Sequence, residues 1–133
     1  NGFSLINDML WRHKIAYLNM PELSTPTRIY APVIKFLKKE VPILGMAHIT
    51  GGGLVENLPR CIPNGLKPYV NYDSWPLPEI FHKIMMAGEI PPEEMKRVFN
   101  LGIGFCVIVA AEDEDATLKA IGNNCWTIGE IVV

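Results

Sequence analysis

The chain has 133 residues, of which 49% are hydrophobic and 20% charged, and its formal net charge is -2. That length suits one domain with a sizeable core; the apolar share excludes intrinsic disorder, and the near-balanced charge offers no field to draw the chain to nucleic acid or to a membrane surface. The three cysteines, Cys61, Cys106 and Cys125, contain no Cys-x-x-Cys pair, so reduced thiols in a cytoplasmic compartment are expected rather than a disulfide framework or a zinc site.

In chain order, Asn1-Gly2-Phe3-Ser4 has neither the basic start nor the apolar core of a signal peptide. Without an initiator Met the chain reads as though cut from something longer, and no apolar run reaches the roughly 20 residues of a membrane helix. Leu5, Ile6, Met9, Leu10 and His13 fall on one helical face, with Ser4 as N-cap. The stretch from Asn19 to Pro26 breaks that helix. A second helix follows, with Ile29, Tyr30, Val33, Ile34 and Leu37 facing the core and Lys35, Lys38 and Lys39 near its negative end. Thr25 or Thr27 is placed to cap it. Pro42 ends it, and Ile43 to Ile49 reads as a short buried strand.

Thr50-Gly51-Gly52-Gly53 is the turn out of that strand, and Leu54, Val55 and Leu58 begin a short helix. Asn64-Gly65 marks a turn before a strand from Lys67 to Tyr72. After the Asp73-Ser74-Trp75-Pro76 turn, Leu77, Ile80, Phe81, Ile84 and Met85 follow the spacing of a core-facing helix ended by Gly88. Pro91-Pro92-Glu93-Glu94 opens the next helix, where prolines and acids suit a first turn. Phe105 to Ala110 is apolar throughout, so a strand with both faces covered is expected; Cys106 within it reads as a buried thiol. A last helix starts at Asp113, Glu114 and Asp115, and Trp126 to Val133 closes as a strand. Alternating strands and helices predict helices packed on one sheet that contains all four strands.

The main candidate for chemistry is His48-Ile49-Thr50-Gly51-Gly52-Gly53-Leu54. Glycines let a ligand approach the backbone, N–H groups at a helix start can hold an anion, Thr50 adds a hydroxyl, and His48 adds a donor or a general acid/base. A tight turn beside a core histidine is the plainer reading, and a Walker A loop is excluded because no Lys-Ser or Lys-Thr follows. On the ligand reading, a branched side chain at Gly52 blocks the anion and leaves the fold intact. Asn100-Leu101-Gly102-Ile103-Gly104 is a second glycine-bearing approach, or a bulge with packing value only. Arg28, after Thr25-Pro26-Thr27, is suited to bind phosphate bidentately or to pair with a surface acid. The acids from Glu112 to Asp115 read as a solvated helix start, and His13 and His82 as structural.

Asn1-Gly2-Phe3-Ser4-Leu5, Thr25-Pro26-Thr27-Arg28-Ile29-Tyr30, His48-Ile49-Thr50-Gly51-Gly52-Gly53-Leu54, Glu56-Asn57-Leu58-Pro59-Arg60, Ser74-Trp75-Pro76, Phe99-Asn100-Leu101-Gly102-Ile103-Gly104 and Trp126-Thr127-Ile128-Gly129-Glu130-Ile131-Val132 come in the order of one family. The series resembles the carboxy-terminal domain of the phosphoribosylformylglycinamidine cyclo-ligases, also called aminoimidazole ribonucleotide synthetases, over nearly the whole chain. The resemblance implies an α+β fold, a three-layer α/β/α domain with partial ferredoxin-like topology, filling residues 1–133. It also implies a cytoplasmic ATP-dependent ligase of purine biosynthesis, a homodimer when full length. In that reaction the formamide oxygen of formylglycinamidine ribonucleotide is phosphorylated, and an internal nitrogen displaces phosphate to close the imidazole ring.

On this resemblance His48 is the catalytic candidate. Asn1, Gly2, Thr27, Arg28, Thr50, Gly51, Gly52, Gly53, Asn100, Gly102 and Gly104 are the candidates for binding substrate or phosphate, with no metal ligand among them. ATP and Mg2+ serve the full-length enzyme and neither is expected on this domain alone. The family's amino-terminal ATP-binding domain, the implied partner, is not in this chain, so the isolated fragment is expected to be inactive. The segment between Tyr17 and Thr25 also looks short for the family. The competing readings are a related synthetase of the same superfamily and a non-catalytic interaction domain lacking the ATP half.

Overall fold

In the computed structural model, residues 1–12 and 20–133 are described. The expectations for His13 and for the first part of the Tyr17 to Thr25 segment lie outside them. The chain divides into two compact units, one of residues 1–27, 49–57 and 77–104 and the other of residues 28–48, 58–76 and 105–133.

The first unit is helical, with α1 (Phe3–Trp11), a 3-10 turn (Pro21–Ser24), α3 (Gly53–Asn57), α4 (Glu79–Gly88) and α5 (Pro92–Val98). Ile6 and Met9 form the buried stripe of α1. The helix starts two residues earlier than expected. Its N-cap is Gly2 at φ 73, a left-handed conformation that costs glycine nothing, and Ser4 lies inside the first turn. A Cβ at Gly2 would run into the Phe99 ring, and Phe99 is only 1% exposed. Phe99 also packs on Phe81 at a centroid distance of 5.8 Å. In α4, Ile84 is buried, and the left-handed C-cap is Glu89 rather than Gly88. In α5 the acids Glu93 and Glu94 sit at the start and Lys96 and Arg97 at the end, as the helix dipole favours. Helices α3 and α5 lie together because Gly53 has no side chain: a Cβ there would overlap the carbonyl oxygen of Lys96 and press on that of Phe99.

The second unit holds α2 (Ala31–Glu40), β1 (Gly45–His48), a 3-10 turn (Leu58–Cys61), β2 (Lys67–Val70), β3 (Phe105–Ile108), a 3-10 turn (Ala111–Asp113), α6 (Glu114–Ile121) and β4 (Gly129–Val132). Segregated helices and antiparallel strands make the fold α+β. All four expected strands exist, but they do not form one sheet. β1 pairs with β3 and β2 with β4, each pair antiparallel. The strands have four residues each, and β2 contains Pro68, which has no ladder donor and suits an edge. At Gly129 the Tyr69 carbonyl approaches so closely that a Cβ would overlap it.

Three further expectations are corrected. β3 does not have both faces covered: Cys106 is buried, while Phe105, Val107 and Ile108 are half-buried. In α2 the buried residue is Leu37, and Ile29, expected inside, is 79% exposed. Neither Thr25 nor Thr27 caps that helix. Its N-cap is Tyr30, with Pro32 in the first turn, where a missing N–H costs nothing.

Candidate functional site

The glycine turn joins the end of β1 to α3. His48 is the last residue of β1 and belongs to the second unit, whereas Thr50, Gly51, Gly52 and Gly53 belong to the first. Gly52 (φ 93) and Gly53 (φ 57) take conformations that ordinary residues resist. Every carbonyl of the turn has a donor. Thr50 O accepts from Asn1 Nδ2 at 2.8 Å and from Gly53 N at 3.2 Å. Gly51 O accepts from Asn57 Nδ2 at 3.1 Å, Gly52 O from Glu56 N at 3.1 Å, and Gly53 O from Asn57 Nδ2 at 2.7 Å. The N–H groups of Gly51 and Gly52 have no partner among the described residues. The turn thus offers donors and withholds acceptors, which suits an anion and not a cation.

The second glycine loop lies beside the first. Asn1 bridges them: its Nδ2 donates to Thr50 O and, at 3.1 Å, to Val98 O, and its Oδ1 accepts from Asn100 N at 3.4 Å. Asn100 Oδ1 accepts from Gly102 N at 3.0 Å, and Ile49 N donates to Gly104 O at 2.9 Å. The structure therefore brings together Asn1, Thr50 to Gly53, Asn100, Gly102 and Gly104. Gly2 packs on Phe99, and Thr27 is exposed.

Not every glycine is free to meet a ligand. A Cβ at Gly51 meets nothing within 4 Å, whereas one at Gly52 collides with the Glu56 side chain. The expectation that a branched residue at Gly52 leaves the fold intact is therefore corrected: its φ of 93 and the Glu56 carboxylate both oppose it. Glu56 itself faces a cation. Arg97 is held above its ordinary value chiefly by its hydrogen bond to Glu94, with a smaller pull from Glu56.

In the second unit, Arg28 and His48 line one open groove of about 580 Å³ with Tyr30, Met46 and Phe105. The His48 ring lies 5.8 Å from that of Tyr30 and 6.0 Å from that of Phe105. Arg28, Lys35 and Lys38 edge the groove and make no ion pair among the described residues. His82 is exposed on α4. Cys106 is a buried thiol pushed up to about 12, mainly by burial and further by Cys61 nearby. Among the described residues no group of three His, Cys, Asp or Glu is arranged to hold a metal ion, and no helix is long and apolar enough to cross a membrane.

The residue that sequence reasoning passed over is Asn57. It was legible only as part of a motif; the signal was an amide side chain four residues after Gly53 on a one-turn helix, where it reaches back over the glycines.

The α+β fold and the donor-rich glycine turn define the class, a domain of helices and antiparallel strand pairs whose turn suits an anion. The model of the family "AIR synthase related protein, C-terminal domain" matches residues 1–133, and the chain belongs to that family. The phosphoribosylformylglycinamidine cyclo-ligase of Prochlorococcus marinus (strain MIT 9211) is 43% identical over 98% of this chain, which corresponds to 42% of that protein. The cyclo-ligase of Burkholderia ambifaria (strain MC40-6) is 42% identical over 98% of the chain and 40% of its own length. The bifunctional purine biosynthetic protein ADE1 of Schizosaccharomyces pombe is 38% identical over 99% of the chain and 18% of its own length. The chain thus spans less than half the length of these curated relatives. Their alignments run 144 to 147 positions, so they carry insertions relative to it.

Proposed function

We propose that this chain is the substrate-holding, carboxy-terminal part of an ATP-dependent cyclo-ligase that closes the imidazole ring of formylglycinamidine ribonucleotide, giving aminoimidazole ribonucleotide, ADP and phosphate. The observation that carries the reading is the glycine turn: four carbonyls occupied by protein donors and two amides left for an anion. The names of the relatives favour the cyclo-ligase over another synthetase of the superfamily or a domain without catalysis. The rest of the assembly is an amino-terminal ATP-binding domain, and the full-length protein is a cytoplasmic homodimer.

When bound, ATP with Mg2+ supplies the phosphoryl group that makes the formamide oxygen a leaving group. This chain's residues handle the substrate. The Gly51 and Gly52 amides hold a phosphate of the ribonucleotide, with the Thr50 hydroxyl beside them. The anion sits on the open Gly51 side, away from the Glu56 carboxylate. In the second unit, taken by itself, Arg28 at the edge of the groove is suited to bind a phosphate bidentately. Within the second unit, His48 is the candidate proton donor, beside the Tyr30 and Phe105 rings on the open groove. Holding the chain of the substrate folded on itself supplies the proximity that ring closure rewards.

The test is calorimetry on a full-length protein carrying this chain. Formylglycinamidine ribonucleotide should bind, and Gly51→Val should weaken it by at least about tenfold while ATP affinity is unchanged. Equal ribonucleotide affinity in a folded Gly51→Val protein would remove the turn from the site.

A further inference from the structure

We infer that the Asn64-Gly65 turn is a site of non-enzymatic deamidation with water as co-reactant, and that the fold protects the other Asn-Gly pair, Asn1-Gly2, from the same reaction. Asparagine is followed by glycine at these two places in the chain. Glycine matters there because its amide nitrogen is the nucleophile and no side chain shields it. Gly65 N loses its proton and attacks the side-chain carbonyl carbon of Asn64. A C–N bond forms, the bond from that carbon to Nδ2 breaks, and ammonia leaves with the proton. The resulting succinimide takes up one water. Opening on one side gives aspartate; opening on the other gives isoaspartate, with the main chain running through the side chain. Either product adds one negative charge to a chain of formal net charge -2, just ahead of β2.

The two pairs differ in what the fold does to them. In the second unit, Asn64 and Gly65 are exposed. Neither the Asn64 side chain nor the Gly65 N–H makes a hydrogen bond among the described residues. Leu66 N donates to Pro63 O at 3.2 Å and closes the turn over them. Gly65 takes φ 90, with nothing within 4 Å of where a Cβ would stand. The side chain can fold back on its own backbone without giving up a partner. Asn1-Gly2, in the first unit, is the opposite case. Asn1 Nδ2 donates to Thr50 O at 2.8 Å and to Val98 O at 3.1 Å, and its Oδ1 accepts from Asn100 N at 3.4 Å. Gly2 is pressed against the Phe99 ring. The Asn1 amide reaches the Gly2 nitrogen only after those hydrogen bonds break.

The test is incubation of a full-length protein carrying this chain in mildly alkaline buffer made with heavy-oxygen water, followed by protease digestion and mass spectrometry. The peptide holding Asn64 should lose ammonia and gain one solvent oxygen. The peptide holding Asn1 should do so at least about tenfold more slowly, which is the order of the cost of one broken hydrogen bond. In urea both should convert. Anion-exchange chromatography should show a more acidic species growing in the wild type and absent from Asn64→Gln, whose longer side chain must close a larger ring and reacts far more slowly. Asn64 intact in the folded protein, over a time in which it converts in urea, overturns the inference. So does an acidic species that persists in Asn64→Gln. Equal rates at Asn64 and Asn1 in the folded protein overturn the protection assigned to the Asn1 hydrogen bonds.

Discussion

Gly51 and Gly52 are adjacent yet have opposite tolerances. Gly51 is exposed and has open space where a Cβ would go, so Gly51→Ala should change stability by no more than about 0.5 kcal/mol in urea unfolding. Gly52 sits at φ 93 with Glu56 against it, so Gly52→Val should cost about 1 to 3 kcal/mol through strain alone. Equal losses at the two positions would contradict this account of the turn. Cys106 makes a prediction of a different kind. Burial raises its pKa from 9.0 to about 12, so the folded state disfavours the thiolate. A raised folded pKa gives stability that is complete below the unfolded value and is lost as pH climbs from there through the folded value. Relative to Cys106→Ala, the wild-type protein should therefore lose stability between about pH 9 and pH 12, and none of the difference should change below pH 8. A thiol reagent at pH 8 should leave Cys106 unmodified in the folded protein.

At the scale of elements, Phe99 closes α5 and meets Gly2, Phe81 and the start of α3, so its loss should be felt across the helical unit. Phe99→Ala is expected to cost about 3 to 5 kcal/mol by denaturant unfolding. A cost below 1 kcal/mol would mean that the unit does not depend on this contact. Much of this layout was legible. The strand, glycines and short helix at 45–57 follow from residue order, and α5 from Pro-Pro-Glu-Glu at its start and Lys-Arg at its end. The sheet was not legible. An unbroken apolar run from Phe105 to Ala110 looks the same whether it is covered on both faces or has one face open on a groove, because periodicity disappears in both cases. Strand pairing depends on contacts distant in sequence, so two pairs and one four-stranded sheet read alike. The brace made by Asn1 was hidden for the same reason, since its partners Val98 and Asn100 are far along the chain.

For the whole molecule, the proposed division of labour between this chain and an amino-terminal part sets the last prediction. Phosphoryl transfer depends on positioning both the nucleotide and the acceptor and on neutralising the charge that develops between them. The described residues of this chain provide donors for an anion at the glycine turn, and three unpaired cations at the groove. The metal-holding half of the task needs carboxylates, since Mg2+ takes oxygen ligands. Here the acids Glu79, Glu93 and Glu94 are engaged with Lys83, Lys96 and Arg97 on the surface. The chain matches only 40 to 42% of the two cyclo-ligases, which leaves most of each relative to supply the remainder. The purified 133-residue chain should therefore show no ATP-dependent formation of aminoimidazole ribonucleotide, and joining it to the amino-terminal part of a cyclo-ligase should bring the reaction back. The measurement is product by chromatography with ATP, magnesium and formylglycinamidine ribonucleotide present. Carrying Gly51→Val into the joined protein should then raise KM for the ribonucleotide and leave KM for ATP unchanged. Ring closure by the chain alone, at a rate near that of the joined protein, would show that the nucleotide site lies within these residues and that the split between nucleotide-holding and substrate-holding halves is wrong.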